Sequence, residues 1–342
     1  MRTDREKHGL TGPVKSVHVE TARLQEQDGG LTEEHLFSQI MTFNQEGGLI
    51  EQVDCSPGGV QWRTVNEYTD SGQLLATKGY DSSGALISEW RYIYDDEGRL
   101  KAEQYTTLDG KVTTPTRYTY DSEGKRIKIQ EYDFSGESHV MIGIEGTGTF
   151  VDAGDARRVE TLYDDRGAAV EVRVFNADQA LVTRIEIKRD SLGNPLEELQ
   201  YIGDVFPFGP CASGSCSEEP RGPLSEEQQA EFEEVARLFS PGSVMSTHTH
   251  RYDAAGRLVE SELTMMGMKA NRQTFRYDDE GNKLEEANYG DEGKPASKAI
   301  FTREYDSHGN WTKELVSTAS SWDAEFGLST PVHVTYRVIS YW

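Results

Sequence analysis

Apolar and polar residues alternate over short stretches of this chain, and the alternation stops about every dozen residues at an acidic, glycine-bearing turn. In Leu86-Ile87-Ser88-Glu89-Trp90-Arg91-Tyr92-Ile93-Tyr94, the residues Leu86, Trp90, Tyr92 and Tyr94 fall on one face of an extended chain, while Glu89 and Arg91 fall on the other. Val170, Val172 and Val174 oppose Glu171 and Arg173 in the same way. Each turn reads Asp-x-x-Gly or Asp-x-Gly: the Asp carboxylate can cap its own turn, and Gly accepts the positive φ that closes it. Strands joined by such short turns run antiparallel, so the pattern predicts a meander of hairpins.

The turns recur in phase. Tyr68, Tyr80 and Tyr94 stand 12 and 14 residues apart, and a decayed copy at Thr106-Thr107-Leu108-Asp109-Gly110 keeps this alternation up to Tyr120 and Tyr132. Further copies begin at Tyr163, Tyr252, Tyr277 and Tyr305, with a weaker one running from Arg189 to Gly193. The unit is therefore about 26 residues with two turns, the mark of a repeat array. So many strands exceed what one flat sheet carries before twist makes it curl or close. The expected fold is all-β: an antiparallel β-meander of hairpin repeats forming a long curled or barrel-like sheet.

The copies Tyr94-Asp95-Asp96-Glu97-Gly98-Arg99-Leu100 and Tyr252-Asp253-Ala254-Ala255-Gly256-Arg257-Leu258 resemble the YD repeats of the RHS family, which also occur in insecticidal toxin-complex shells and teneurins. The resemblance spans roughly residues 40–310. The ends, Gly9-Leu10-Thr11-Gly12-Pro13-Val14 and Tyr305-Asp306-Ser307-His308-Gly309-Asn310-Trp311, look like small free-standing bacterial YD-repeat proteins. It implies hairpin strips wound into a curved sheet and an exported protein of the periplasm, surface or medium. Only about thirty residues follow Trp311, which read as closing strands and not as an enclosed toxin domain.

Two interruptions organise the chain. It divides as a single repeat domain, 1–342, with N-terminal cap strands (1–42), repeats (43–136), a Gly-rich insert (137–162), repeats (163–201), a second insert (202–251), repeats (252–310) and closing strands (311–342). The first insert, Gly143-Ile144-Glu145-Gly146-Thr147-Gly148, reads as a flexible or bulged hairpin; no strand-and-helix context makes it a phosphate loop. The second carries Phe206-Pro207-Phe208 and a loop whose Cys211 and Cys216 stand close enough for a disulfide in an oxidising compartment. It then enters the chain's one clear predicted helix, 225–239. Ser225 with Gln228 forms a capping pattern there, and Phe232, Val235, Ala236 and Phe239 form an apolar stripe. The helix suits a plug on the sheet or a docking device, so Phe206, Phe208, Phe232 and Phe239, with His248 and His250 further along, are candidate binding residues. Cys55 is read as a turn residue.

Composition narrows the partners. The net charge of −24 disfavours nucleic acid and anionic membrane. No apolar run reaches the length of a transmembrane helix, and no signal-peptide core follows Met1. With 16 Tyr and 5 Trp, an aromatic sheet face could hold a glycan or peptide by stacking.

Candidate chemistry is sparse. His248 and His250 lie two apart on a strand, hence on one face, a spacing seen in zinc ligands. No third ligand can be assigned, and His250 stands where other repeats carry an inward aromatic, so neither a metal nor a cofactor is assigned. The turn carboxylates recur as structural residues do, and no nucleophile motif such as Gly-x-Ser-x-Gly is present. The reading is a non-catalytic scaffold or binding module with a protein or glycan partner. Its alternatives are a metal-dependent enzyme in the 202–251 region around His248 and His250, and an acidic protein that neutralises a basic effector.

Overall fold

The computed structural model describes residues 3–27, 30–132, 141–147, 150–152, 156–204, 240–290, 295–320 and 330–342. The predicted helix at 225–239, with Phe206, Phe208, Phe232, Phe239, Cys211 and Cys216, lies outside the described residues. The rest is an antiparallel all-β meander, and the strands fall in two compact units: Met1–Thr114, Phe275–Tyr289 and Pro295–Trp342 form unit 1, and Pro115–Thr274 with Gly290–Lys294 forms unit 2.

In unit 1 the strands in chain order are β1 (Val14–Gln27), β2 (Gly30–Phe43), β3 (Leu49–Ser56), β4 (Gly59–Tyr68), β5 (Leu74–Asp81), β6 (Leu86–Tyr94) and β7 (Leu100–Thr106), then β19 (Lys283–Tyr289), β20 (Pro295–Tyr305), β21 (Trp311–Ser320) and β22 (Thr330–Tyr341). Consecutive strands pair from β1 to β7 and from β19 to β22. Strand β22 then pairs with β1, Val17 opposite Ile339, so the two ends of the chain lie side by side. A network locks this seam. Asn310, only 1 % exposed, accepts the Thr11 N–H at 2.7 Å through Oδ1 and donates through Nδ2 to the Thr11 carbonyl and the Tyr341 hydroxyl. The core beneath holds Leu10, Val14, Val17, Met41 and Phe43.

In unit 2 the order runs from residues 115–120 of β8 (Val112–Tyr120) through β9 (Arg126–Glu131), β12 (Arg158–Tyr163), β13 (Ala169–Phe175), β14 (Leu181–Arg189), β15 (Pro195–Ile202), β16 (Val244–Tyr252) and β17 (Leu258–Met265) to residues 268–274 of β18 (Met268–Tyr277). The Gly-rich insert contains a small hairpin, β10 (Met141–Gly143) on β11 (Phe150–Asp152). The alternation read in β13 holds at Val172 and Val174, which are inside with Val159, Ile185 and Ile187, but Ala169 is buried in place of Val170, where the pairing of β12 with β13 shifts register.

The repeated motif has a physical account. In the turn after Tyr94, the Asp95 N–H donates to the Arg99 carbonyl and the Gly98 N–H to the Asp95 carbonyl, both at 2.9 Å. The Asp95 Oδ1 accepts the N–H groups of Glu97 and Arg99 at 3.1 and 2.8 Å, and Gly98 sits at φ +76°. The same scheme repeats at Asp121, Asp164, Asp190, Asp253 and Asp306. At Asp253 the Arg257 N–H holds the carboxyl below its ordinary pKa, with burial opposing. The motif Tyr does a different job. Tyr68 donates its hydroxyl to the Leu49 carbonyl and Tyr94 to the Leu74 carbonyl, in each case at the start of the preceding strand. Arg189 occupies the Tyr place in its weak copy and donates Nε to the Ala169 carbonyl at 2.9 Å, so the link survives the substitution.

Gln179 departs from the scheme, standing where the turn Asn176–Ala180 needs glycine, at φ +61°. An L-residue with a Cβ pays roughly 1 kcal/mol for the left-handed conformation. Gln179→Gly should therefore stabilise the protein by about 1 kcal/mol, read as a higher denaturant midpoint at unchanged slope; a lower midpoint would refute the assignment.

Three further differences from the sequence reading have local causes. A short helix, α1 (Asp4–Lys7), is capped by reciprocal bonds between Thr3 and Glu6, a Thr-x-x-Glu signal too short to stand out in a strand-rich pattern. Cys55 belongs to β3 and pairs with Ser38 and Val60; the turn begins beyond it, at Pro57. Leu86 remains 47 % exposed, because the register shifts where it meets Tyr80, at the end of the strand.

Candidate functional site

The buried face of unit 2 changes character across the sheet. On β12 to β14 it is Val159, Val172, Val174, Ile185 and Ile187; on β15 to β17 it becomes Glu198, His248, His250 and Ser261. The outward positions of β16, Thr247, Thr249 and Arg251, alternate with the two histidines, and Arg251 pairs there with Glu260. The two-residue period thus brings His248 and His250 to the same inner face, as the sequence suggests.

Register supplies what the sequence reading missed. Glu198 lies opposite His248 across β15 and β16, and Ser261 lies opposite His250 across β16 and β17. The side chains then meet along the diagonals, which long side chains reach on one face of a sheet. His250 Nε2 is 3.0 Å from Glu198 Oε1, and both side chains are only 3 % exposed. His248 Nε2 is 2.5 Å from Ser261 Oγ, and the two imidazole centroids are 4.2 Å apart. Burial and the adjacent His250 hold His248 below its ordinary pKa, with Glu198 opposing. Neutral imidazole therefore prevails at His248 near neutral pH.

Two atoms at this centre are buried without a hydrogen-bond partner, Glu198 Oε2 and His250 Nδ1. Such groups are rare in native interiors because each carries an uncompensated desolvation cost. The only hint of Glu198 in the sequence is the pair Glu197-Glu198, one of which must point inward on a strand. Its proximity to His250 could not be read, because the two stand 52 residues apart along the chain.

A second surface lies in unit 1. Register puts Gln39, Asp54 and Trp62 in line across β2 to β4, with Thr64, Gly79 and Ser88 next to them and Thr77, Trp90 and Tyr105 beyond, all on one face. Asp54 Oδ1 accepts from Gln39 Nε2 at 2.8 Å, Trp62 Nε1 donates to Thr64 Oγ1 at 2.9 Å, and Thr77 donates to Asn66 at 2.7 Å. Trp90 and Tyr105 stack obliquely at 4.8 Å. The Trp62 ring lies over Gly79, where a Cβ would come within 2.7 Å of Cζ2. Trp62 nevertheless stays 38 % exposed.

Among the described residues no helix is long and apolar enough to cross a membrane. No protein-family model matches the sequence, and no curated protein matches it. Solved structures that it overlaps include a porin-like protein from Bacteroides uniformis, at 11% identity and TM-score 0.31, covering 96% of this chain and 98% of the other. The Tc holotoxin pore of Photorhabdus luminescens overlaps 88% of this chain at 10% identity and TM-score 0.27, and the chain spans 18% of that protein's length. A DUF1329 family protein from Desulfovibrio piger overlaps 96% of this chain and 86% of its own at 8% identity and TM-score 0.23. Likenesses this distant carry no argument about what the chain does.

Proposed function

We propose that this chain is a non-catalytic YD-repeat binding module, exported from a bacterial cell, that holds a neutral glycan on the Trp62, Trp90 and Tyr105 face of unit 1. The observation that supports this reading most is the chemistry of that face. Half-exposed indoles alternate there with amides and hydroxyls, at positions where a sheet that only packs a core would carry aliphatic side chains. The apolar faces of sugars stack on indole rings, and their hydroxyls exchange hydrogen bonds with amides such as Gln39 and Gln52. The net charge of −24 opposes anionic polymers and leaves neutral sugars favoured. A non-catalytic role is supported by the turn carboxylates, which are engaged by their own backbone N–H groups.

A glycan array followed by calorimetric titration tests the reading. A neutral oligosaccharide should bind, with affinity falling about tenfold in each of Trp62→Ala and Trp90→Ala while the thermal transition is retained. Failure to bind any glycan overturns it, and salt-sensitive capture of a basic protein in its place would favour the neutralising role.

A further inference from the structure

We infer that Glu198, His248 and His250 form a binding site for a divalent transition-metal ion, with zinc the best fit. The three residues offer one donor atom each, all within 4.8 Å of one another. The edge of a tetrahedral zinc shell is about 3.4 Å, so rotations that move these atoms by roughly 1 Å would close the set. Two imidazole nitrogens and one carboxylate form a mixed nitrogen and oxygen set that suits zinc, copper or nickel and is too poor in oxygen for calcium or magnesium. The fourth position falls to a solvent molecule.

Two observations point to an ion over a plain buried ion pair. An ion pair between His250 and Glu198 alone leaves Glu198 Oε2 and His250 Nδ1 buried and unsatisfied, a costly arrangement in a low-dielectric interior. A metal engages lone pairs of these groups and so removes part of that cost. Secondly, His248 has its outer support in place. His248 Nε2 lies 2.5 Å from Ser261 Oγ, and in the tautomer with Nε2–H as donor the other ring nitrogen would serve the ion, the outer contact that ligating histidines carry. Arg189 stands within electrostatic reach of Glu198 and competes weakly for its charge, while its own guanidinium is tied to the Ala169 and Gly193 carbonyls. The ion would bridge β15 to β16 and hold together strands that the chain connects only through a long excursion.

The test uses the full chain, stripped by chelator dialysis and then titrated with zinc or cobalt(II). One ion per chain should bind, cobalt should give the visible spectrum of a nitrogen and oxygen shell, and zinc should raise the unfolding temperature. Glu198→Gln and His250→Gln should each weaken zinc at least about 100-fold and Ser261→Ala about tenfold, while His35→Gln in unit 1 should change nothing. A folded wild-type chain that retains no ion overturns the site, as does unchanged affinity in Glu198→Gln and His250→Gln. Should the ligand variants fail to fold, the stoichiometry and cobalt spectrum of the wild-type chain, with the Ser261→Ala shift, decide. None of these readouts depends on glycan binding.

Discussion

Phe43→Ala should destabilise unit 1 by about 4 kcal/mol, a large share of the 5–15 kcal/mol that typically holds a domain folded. Phe43 stands in the place of a motif Tyr, ahead of the turn Asn44–Gly48, and is fully buried, whereas Tyr68 and Tyr94 send their hydroxyls to carbonyls. Its ring packs on Leu10, Val14, Val17 and Met41 and meets the His8 imidazole edge-on at 6.1 Å. Removing it leaves a cavity bounded by β1, β2 and the segment that enters β1. These elements are fixed by the β1 to β22 pairing, so little collapse can fill the space. Denaturant unfolding should show a lower midpoint, and Phe43→Leu should recover more than half of the loss. A loss under 1 kcal/mol would mean that the cluster is not the centre of unit 1.

Gly203→Ala should be the most damaging single methyl in unit 2, at about 3 kcal/mol. Gly203 closes β15, donates its N–H to the Val182 carbonyl at 2.9 Å and leads into the second insert. A Cβ there would lie 2.1 Å from the Leu181 carbonyl oxygen and 2.5 Å from its carbon. These are backbone atoms within a paired strand, so relief requires β14 and β15 to separate, near Thr183 opposite Ile202. Gly84 provides the contrast: a methyl there meets nothing within 4 Å, and only its φ of +83° penalises Gly84→Ala, by about 1 kcal/mol. Chemical denaturation of both variants decides the matter. Equal losses would show that strand contact at Gly203 is unimportant.

The all-β class, the antiparallel order and the turn positions were legible in the residues because each rests on chemistry within a few positions of itself. Asp95 bonds to N–H groups two and four residues on, Gly98 supplies its own φ, and the alternation around Val172 and Val174 needs only the two-residue period of a strand. His248 and His250 were legible as a pair for the same reason. What only the tertiary structure decided is whatever depends on register between strands far apart in sequence. Glu198 reaches His250 only because β16 returns beside β15 after the second insert, and which of Glu197 and Glu198 turns inward follows from that pairing. The seam between β1 and β22 arises in the same way. Local hydrogen bonds and backbone freedom write the repeats into the sequence, whereas the sites are assembled by strand pairings that no short stretch encodes.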